Sequence, residues 1–294
     1  MRTRPAIRRK PDTRRPAGLP GSPRFEVLPL PGITDEVPEH LPAHATVTVT
    51  ASPRQGMSAT IDCAVALALR GMHVVPHLSA RLVPDEATLS STLDTLANSG
   101  VEELFVVGGD AEQPVGEYTS ALGLLQAIAA QDHGFRIGVA GYPEPHPLIS
   151  DDVAVQAMWD KREYASYIVS QMCFDARALL TWVRRVRHRG VDLPILVGVP
   201  GPASTSKLLR VGSKIGVGQS TRVLRKHRGG LRHLASPRPW RPTQLLRDLA
   251  PAFADPTYGL QGLHVYTFND VATAGRWWQA AASGDQEATP TLDQ

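Results

Sequence analysis

Glu26 lies between Phe25 and Val27 in the stretch RFEVLPLP (24–31). A carboxyl on such an apolar strand loses hydration, which raises its pKa and suits it to general-acid work. The other reading of the residue alone is a buried carboxylate paired with a base such as Arg24 or Lys161. Asp110 follows Gly108 and Gly109. The glycines let the backbone turn tightly and a flat ligand approach closely, although an Asp there could equally cap the next helix. Gln171 offers a donor and an acceptor to a heterocycle edge, or is a satisfied core amide. His77 and Ser79, Tyr142, Glu144 and His146, Asp175, and His264, Tyr266 and Asn269 sit at the ends of other β-rich runs. His77, between Pro76 and Leu78, also suits a structural imidazole bonded to backbone.

These residues recur with a period of their own. Eight short β-branched runs cover 24–31, 46–52, 73–80, 103–110, 136–144, 167–175, 194–201 and 262–270. Most are continuously apolar, as expected when both faces of a parallel strand are covered. Helical patterns separate them, near 58–71, 84–100, 117–131, 151–164, 176–189, 202–211, 243–253 and 271–283. Gly71 and Gly100 serve as stops for two of them. The first connection, 32–45, holds prolines and leaves room for only a short helix. Eight β/α units favour one (β/α)8 barrel of the TIM type, an α/β fold whose ligands sit at the C-terminal strand ends. No G-x-G-x-x-G follows a strand; the nearest glycines, Gly212 and Gly218, fall in a helical pattern.

The expected organisation is a basic tail over 1–23, the barrel over 24–285 and a flexible end over 286–294. The whole chain carries a net charge of +3, but residues 1–23 hold seven bases against one acid, so the remainder stands at −3. That acidic balance argues against a nucleic-acid binder, and the tail is too polar to fold alone. With no long apolar run and no apolar segment behind the basic start, the chain is expected to be cytoplasmic and off the membrane. Cys63 and Cys173 are the only cysteines and are expected to be buried free thiols. No spacing of histidines points to a metal. Between 213 and 242 lie Lys214, Arg222, Arg225, Lys226, Arg228, Arg232, Arg238 and Arg241. A helix near 214–227 and then a loop are expected there. Attraction for an anion and a solvated basic face both remain open. Trp277 and Trp278 are expected to pack over the barrel, and the oligomeric state stays open.

The ordered motifs resemble those of the methylenetetrahydrofolate reductase family. RFEVLPLP is similar to its F-E-F-x-P-P, VVPHLSA to P-H-L-T, VVGGD to L-R-G-D, and VAGYPEPHP to A-x-Y-P-E-x-H-P; VSQMCFD is similar to T-Q-x-x-F-D and HVYTFN to H-F-Y-T-L-N. The resemblance implies reduction of 5,10-methylenetetrahydrofolate to 5-methyltetrahydrofolate, with Glu26 as the acid. It implies Asp110, Gln171 and Tyr142 at the folate, and His77, Ser79, Gly109, Tyr118 and Lys161 at the cofactor. Three departures touch the family's FAD. Gly108 replaces the arginine of L-R-G-D, AMWDKREYASY (157–167) replaces a lysine- and glycine-bearing motif, and GPASTSK (201–207) lacks an aromatic. The expectation is therefore NADH, with NADPH open, giving its hydride directly to folate with no FAD bound. An FAD-dependent reductase and a non-catalytic folate-binding barrel are the alternatives.

Overall fold

A computed structural model describes residues 21–131, 133–144, 150–214 and 240–283. Eight strands run in chain order: β1 (Arg24–Val27), β2 (Thr46–Val49), β3 (His73–Ser79), β4 (Glu103–Val107), β5 (Arg136–Gly141), β6 (Tyr167–Ser170), β7 (Ile195–Pro200) and β8 (Leu260–Tyr266). The helices are α1 (Ile33–His40), α2 (Gly56–Ala68), α3 (Glu86–Asn98), α4 (Ala121–Ala129), α5 (Asp151–Lys161), α6 (Ala176–His188), α7 (Thr205–Lys214), α8 (Thr243–Ala254) and α9 (Val271–Ser283). Every strand is parallel to its neighbours, and β8 closes on β1 to complete the barrel. The fold expected from the eight apolar runs is the fold observed, with α1 held to eight residues as its prolines require.

The strands are shorter than the apolar runs. The residues past Val27, Val107, Gly141 and Ser170 are loop, and they carry most of the polar candidates. Alternation sorts each strand into two faces. Phe25, Val27, Val47 and Val49 point outward into the main core beneath the helices, while Val75, Phe105, Tyr167 and Val169 fill the barrel interior. At the N-terminal end Arg24 pairs with Glu103 at 2.8 Å and donates to the Tyr167 hydroxyl at 2.8 Å, with Arg136 on the other Glu103 oxygen. The interior is thus plugged below and polar above.

Local signals set the helix ends. Asp85 caps α3 through the Thr88 N–H, and Gly71 and Gly100 take left-handed φ after α2 and α3. Both cysteines are buried and unpaired. Trp277 and Trp278 are buried in the main core on α9, whose Gly275 admits the His40 carbonyl from α1; a Cβ there would lie 2.3 Å from that oxygen. Among the described residues no helix is long and apolar enough to cross a membrane. The basic tail, most of the 213–242 segment with its expected helix, His146 and residues 286–294 lie outside the described residues.

Candidate active site

Barrel closure decides what Glu26 meets. In register, Glu26 of β1 stands beside Thr48 of β2 and Tyr266 of β8. Its backbone carbonyl accepts from the Thr267 hydroxyl at 2.6 Å and from the Thr267 N–H at 3.3 Å, which pins the strand end. Its side chain is 18% exposed, and its Oε2 lies 2.9 Å from His264 Nε2 and 3.9 Å from His77 Nε2. Arg24, one of the bases considered as its partner, is taken by Glu103.

The electrostatics run opposite to the expectation from Glu26's apolar strand neighbours. Burial does push the carboxyl up. The His264 hydrogen bond and charge, the His77 charge and the Thr50 hydroxyl together outweigh it and hold Glu26 below its ordinary range. The two histidines differ. Burial drives His77 down to about 4, against the pull of Glu26, so it is neutral at neutral pH. His264 is 1% exposed, packs edge-on against Tyr266 with ring centroids 4.9 Å apart, and has no partner on Nδ1.

The loops bring further groups to the same mouth. Tyr266, its phenol raised by burial and then by Glu26 and Tyr142, donates to the Ser170 carbonyl at 3.2 Å. Tyr142 is raised by burial and by the charge of Asp110, so Glu26, Tyr266, Tyr142 and Asp110 form a continuous series of neighbours. Asp110 is exposed and does not cap the next helix; Ser120 does, through the Gly123 N–H. Asp175, by contrast, is the cap of α6. Gln171 accepts the Met172 N–H on Oε1 at 2.7 Å, so its amide NH2 is the end left for a ligand. Ser79 is buried with Oγ unpartnered, directly under Gly109.

Tyr118 has Glu86, Glu117 and Asp85 as its charged neighbours, beside the start of α3 and two residues before the Ser120 cap of α4. One expected member lies elsewhere. Lys161 ends α5, one turn before the Ser166 N–H that bonds Ile137 near the start of β5, so it lies toward the N-terminal side of the barrel. It is buried and pushed down to about 8. His264 and Asn269 stand among the polar strand-8 residues, yet sequence alone does not rank them above the rest. Asn269, at φ 59, ties both backbone groups of Leu28 and so locks the β8 loop to the β1 loop.

A flavin pyrophosphate draws on cations or converging backbone N–H groups, and position 108, where the resembled motif carries arginine, is glycine. Arg81 donates to the carbonyls of Ala111, Glu112 and Thr119. Lys161 is remote, and Lys207 donates to the Phe268 carbonyl at 3.2 Å.

The sequence profile of the methylenetetrahydrofolate reductase family matches residues 33–219. Methylenetetrahydrofolate reductase 2 of Saccharomyces cerevisiae is 29% identical over 160 residues, 50% of this chain and 26% of the relative. Methylenetetrahydrofolate reductase (NADH) 1 of Zea mays is 29% identical over 192 residues, 56% of this chain and 31% of the relative. These matches span only a quarter to a third of those relatives' lengths. Among solved structures, a protein from Clostridium thermocellum that binds two copies of 5-methyl-5,6,7,8-tetrahydrofolic acid aligns with TM-score 0.58 at 11% identity, covering 91% of this chain and 96% of that one. An oxaloacetate acetylhydrolase aligns with TM-score 0.51 at 10% identity, covering 88% and 78%. Both show the barrel fold alone.

Proposed function

The chain belongs to the methylenetetrahydrofolate reductase family, and on that premise we propose that it reduces 5,10-methylenetetrahydrofolate to 5-methyltetrahydrofolate with NADH. The observation that carries the reading is Glu26 at the barrel mouth, 2.9 Å from His264 and adjoining the Tyr266–Tyr142–Asp110 series. A pure folate binder has no use for an acid so placed. NADH is the donor because relatives in Zea mays and Arabidopsis thaliana carry that cosubstrate in their names.

Glu26 delivers a proton to N10 of the folate as the five-membered ring opens, leaving an iminium at N5. The hydride then adds to the exocyclic carbon, and the methyl product forms. Asp110, Tyr142 and the Gln171 amide hold the pterin so that this carbon meets the donor at close range. His77, Ser79 and Gly109 line the neighbouring strand ends, where the nicotinamide binds. With glycine at position 108 and the Arg81 guanidinium bound to backbone carbonyls, the hydride passes to folate directly.

Purified protein assayed with NADH and methylenetetrahydrofolate tests both parts. Expected is folate-dependent NADH oxidation, unaffected by added FAD, from protein without flavin absorbance. Lack of folate-dependent oxidation overturns the activity. A stoichiometric yellow chromophore overturns only the flavin-free step.

A further inference from the structure

We propose that Arg81 sets Asp110 in place for the folate, by holding the loop 108–119 from the neighbouring strand end. The inference rests on the reductase reading and adds to it what positions the substrate-binding carboxylate. Ser79 of β3 pairs in register with Val107 of β4, so the turn after β3 runs beside the loop after β4. Arg81 lies in that turn, a short 3-10 helix over Ala80–Leu82. The loop it faces has no helix or strand of its own over 108–119, and Asp110, Glu112, Gln113, Val115, Glu117 and Thr119 are exposed. Tyr118, near its far end, packs against the main core.

Among the described residues, the hydrogen bonds that reach this loop all end on Arg81. Its backbone N–H donates to the Gly108 carbonyl at 3.1 Å, and its carbonyl accepts from the Val115 N–H at 3.0 Å. The side chain adds a fork. Nε donates to the Ala111 carbonyl at 2.6 Å, one terminal nitrogen to the Glu112 carbonyl at 2.5 Å and the other to the Thr119 carbonyl at 3.4 Å. Ala111 and Glu112 directly follow Asp110, so the fork fixes the backbone from which that carboxylate projects. A guanidinium is planar and rigid, and its charge strengthens each bond to a carbonyl. Two glycines let the loop close on the same segment. A Cβ on Gly109 would meet the Ser79 hydroxyl, and one on Gly116 would lie 1.8 Å from the Pro84 carbonyl oxygen.

An exposed loop without such ties samples many backbone conformations, and ordering it when a ligand arrives weakens binding. With them, Asp110 already stands where its charge raises the Tyr142 phenol. Arg81 spends its donors on backbone carbonyls and reaches the substrate only through Asp110. It is a positioning residue, and its loss is felt in how well folate binds rather than in the chemical step.

Arg81→Lys keeps the charge and loses the fork. In the variant, KM for methylenetetrahydrofolate is expected to rise by about tenfold or more, with kcat held within about twofold of the wild type. Made in an Asp110→Asn background, the same substitution is expected to raise KM by no more than about twofold further, because the group it positions is already gone. An unmoved KM overturns the proposal. So does an equal rise in both backgrounds, which is what a purely structural arginine would give. Hydrogen exchange in the unmutated protein is independent of how the variant folds: the Arg81 Nε–H and the Val115 amide must be protected. Exchange of both as fast as in a free loop overturns the proposal. Failure of the wild type to turn over folate sinks the reductase reading, whereas an unmoved KM with intact wild-type turnover sinks this inference alone.

Discussion

Gly109 lies so close above Ser79 that a Cβ on it would sit 1.9 Å from the serine hydroxyl, and its φ of +93° is one that L side chains avoid. Gly109→Ala therefore meets strain and a clash together. The loop carrying Asp110 must lift, and stability should fall by about 1–3 kcal/mol. Folate affinity should weaken by about tenfold or more. Urea unfolding and a binding titration read the two effects; an unchanged protein would mean that the loop does not depend on this close approach.

Glu26→Gln keeps the shape and removes the acid. Turnover should drop by about 10²–10⁴-fold while folate still binds, as measured by steady-state kinetics beside a binding isotherm. Retention of full turnover would remove Glu26 from the chemistry.

His77 links stability to pH. Its folded value is pushed down from 6.5 to about 4, so between those values the unfolded chain takes up a proton that the folded one refuses. Stability should fall by roughly 3 kcal/mol as pH drops through that window, and His77→Asn should flatten part of the slope. Thermal melts across the window check this; an equal slope in both proteins would contradict it.

Lys161 is buried and pushed down from 10.5 to about 8, first by burial. A charged lysine there destabilises the fold at neutral pH, so Lys161→Met should stabilise it by about 1–3 kcal/mol. As pH rises above about 8 the folded lysine loses its proton before the unfolded one does, and the gain should shrink. Denaturant midpoints on either side of that pH decide it, and a destabilised variant would be the contrary result.

Much of the barrel was legible because its causes are local. Apolar runs of strand length, glycine stops at Gly71 and Gly100, and prolines shortening α1 all act within a few residues of themselves. The run through Ser170 overshoots its strand because the apolar Met172, Cys173 and Phe174 that follow resemble strand in composition. In the fold they leave the sheet to form the mouth. Asp110 and Gln171 could be singled out on their flanking residues, but each kept a structural alternative. For Asp110 that alternative is removed only by finding Ser120 at the head of α4. For Gln171 half of it holds, since one end of the amide serves its own backbone.

What the chain's order of residues determined was a parallel eight-stranded α/β barrel and the family to which it belongs, since both rest on motifs a few residues long. What only the tertiary structure decided was the company those motifs keep. Glu26 meets a histidine 238 positions away because β8 closes against β1. That contact reverses the direction in which a lone buried carboxyl would titrate. Lys161, near in sequence to a site loop, ends at the opposite side of the barrel because α5 runs back along its strand. Charge interactions depend on distance in space and on burial, and neither is a property of neighbours along the chain.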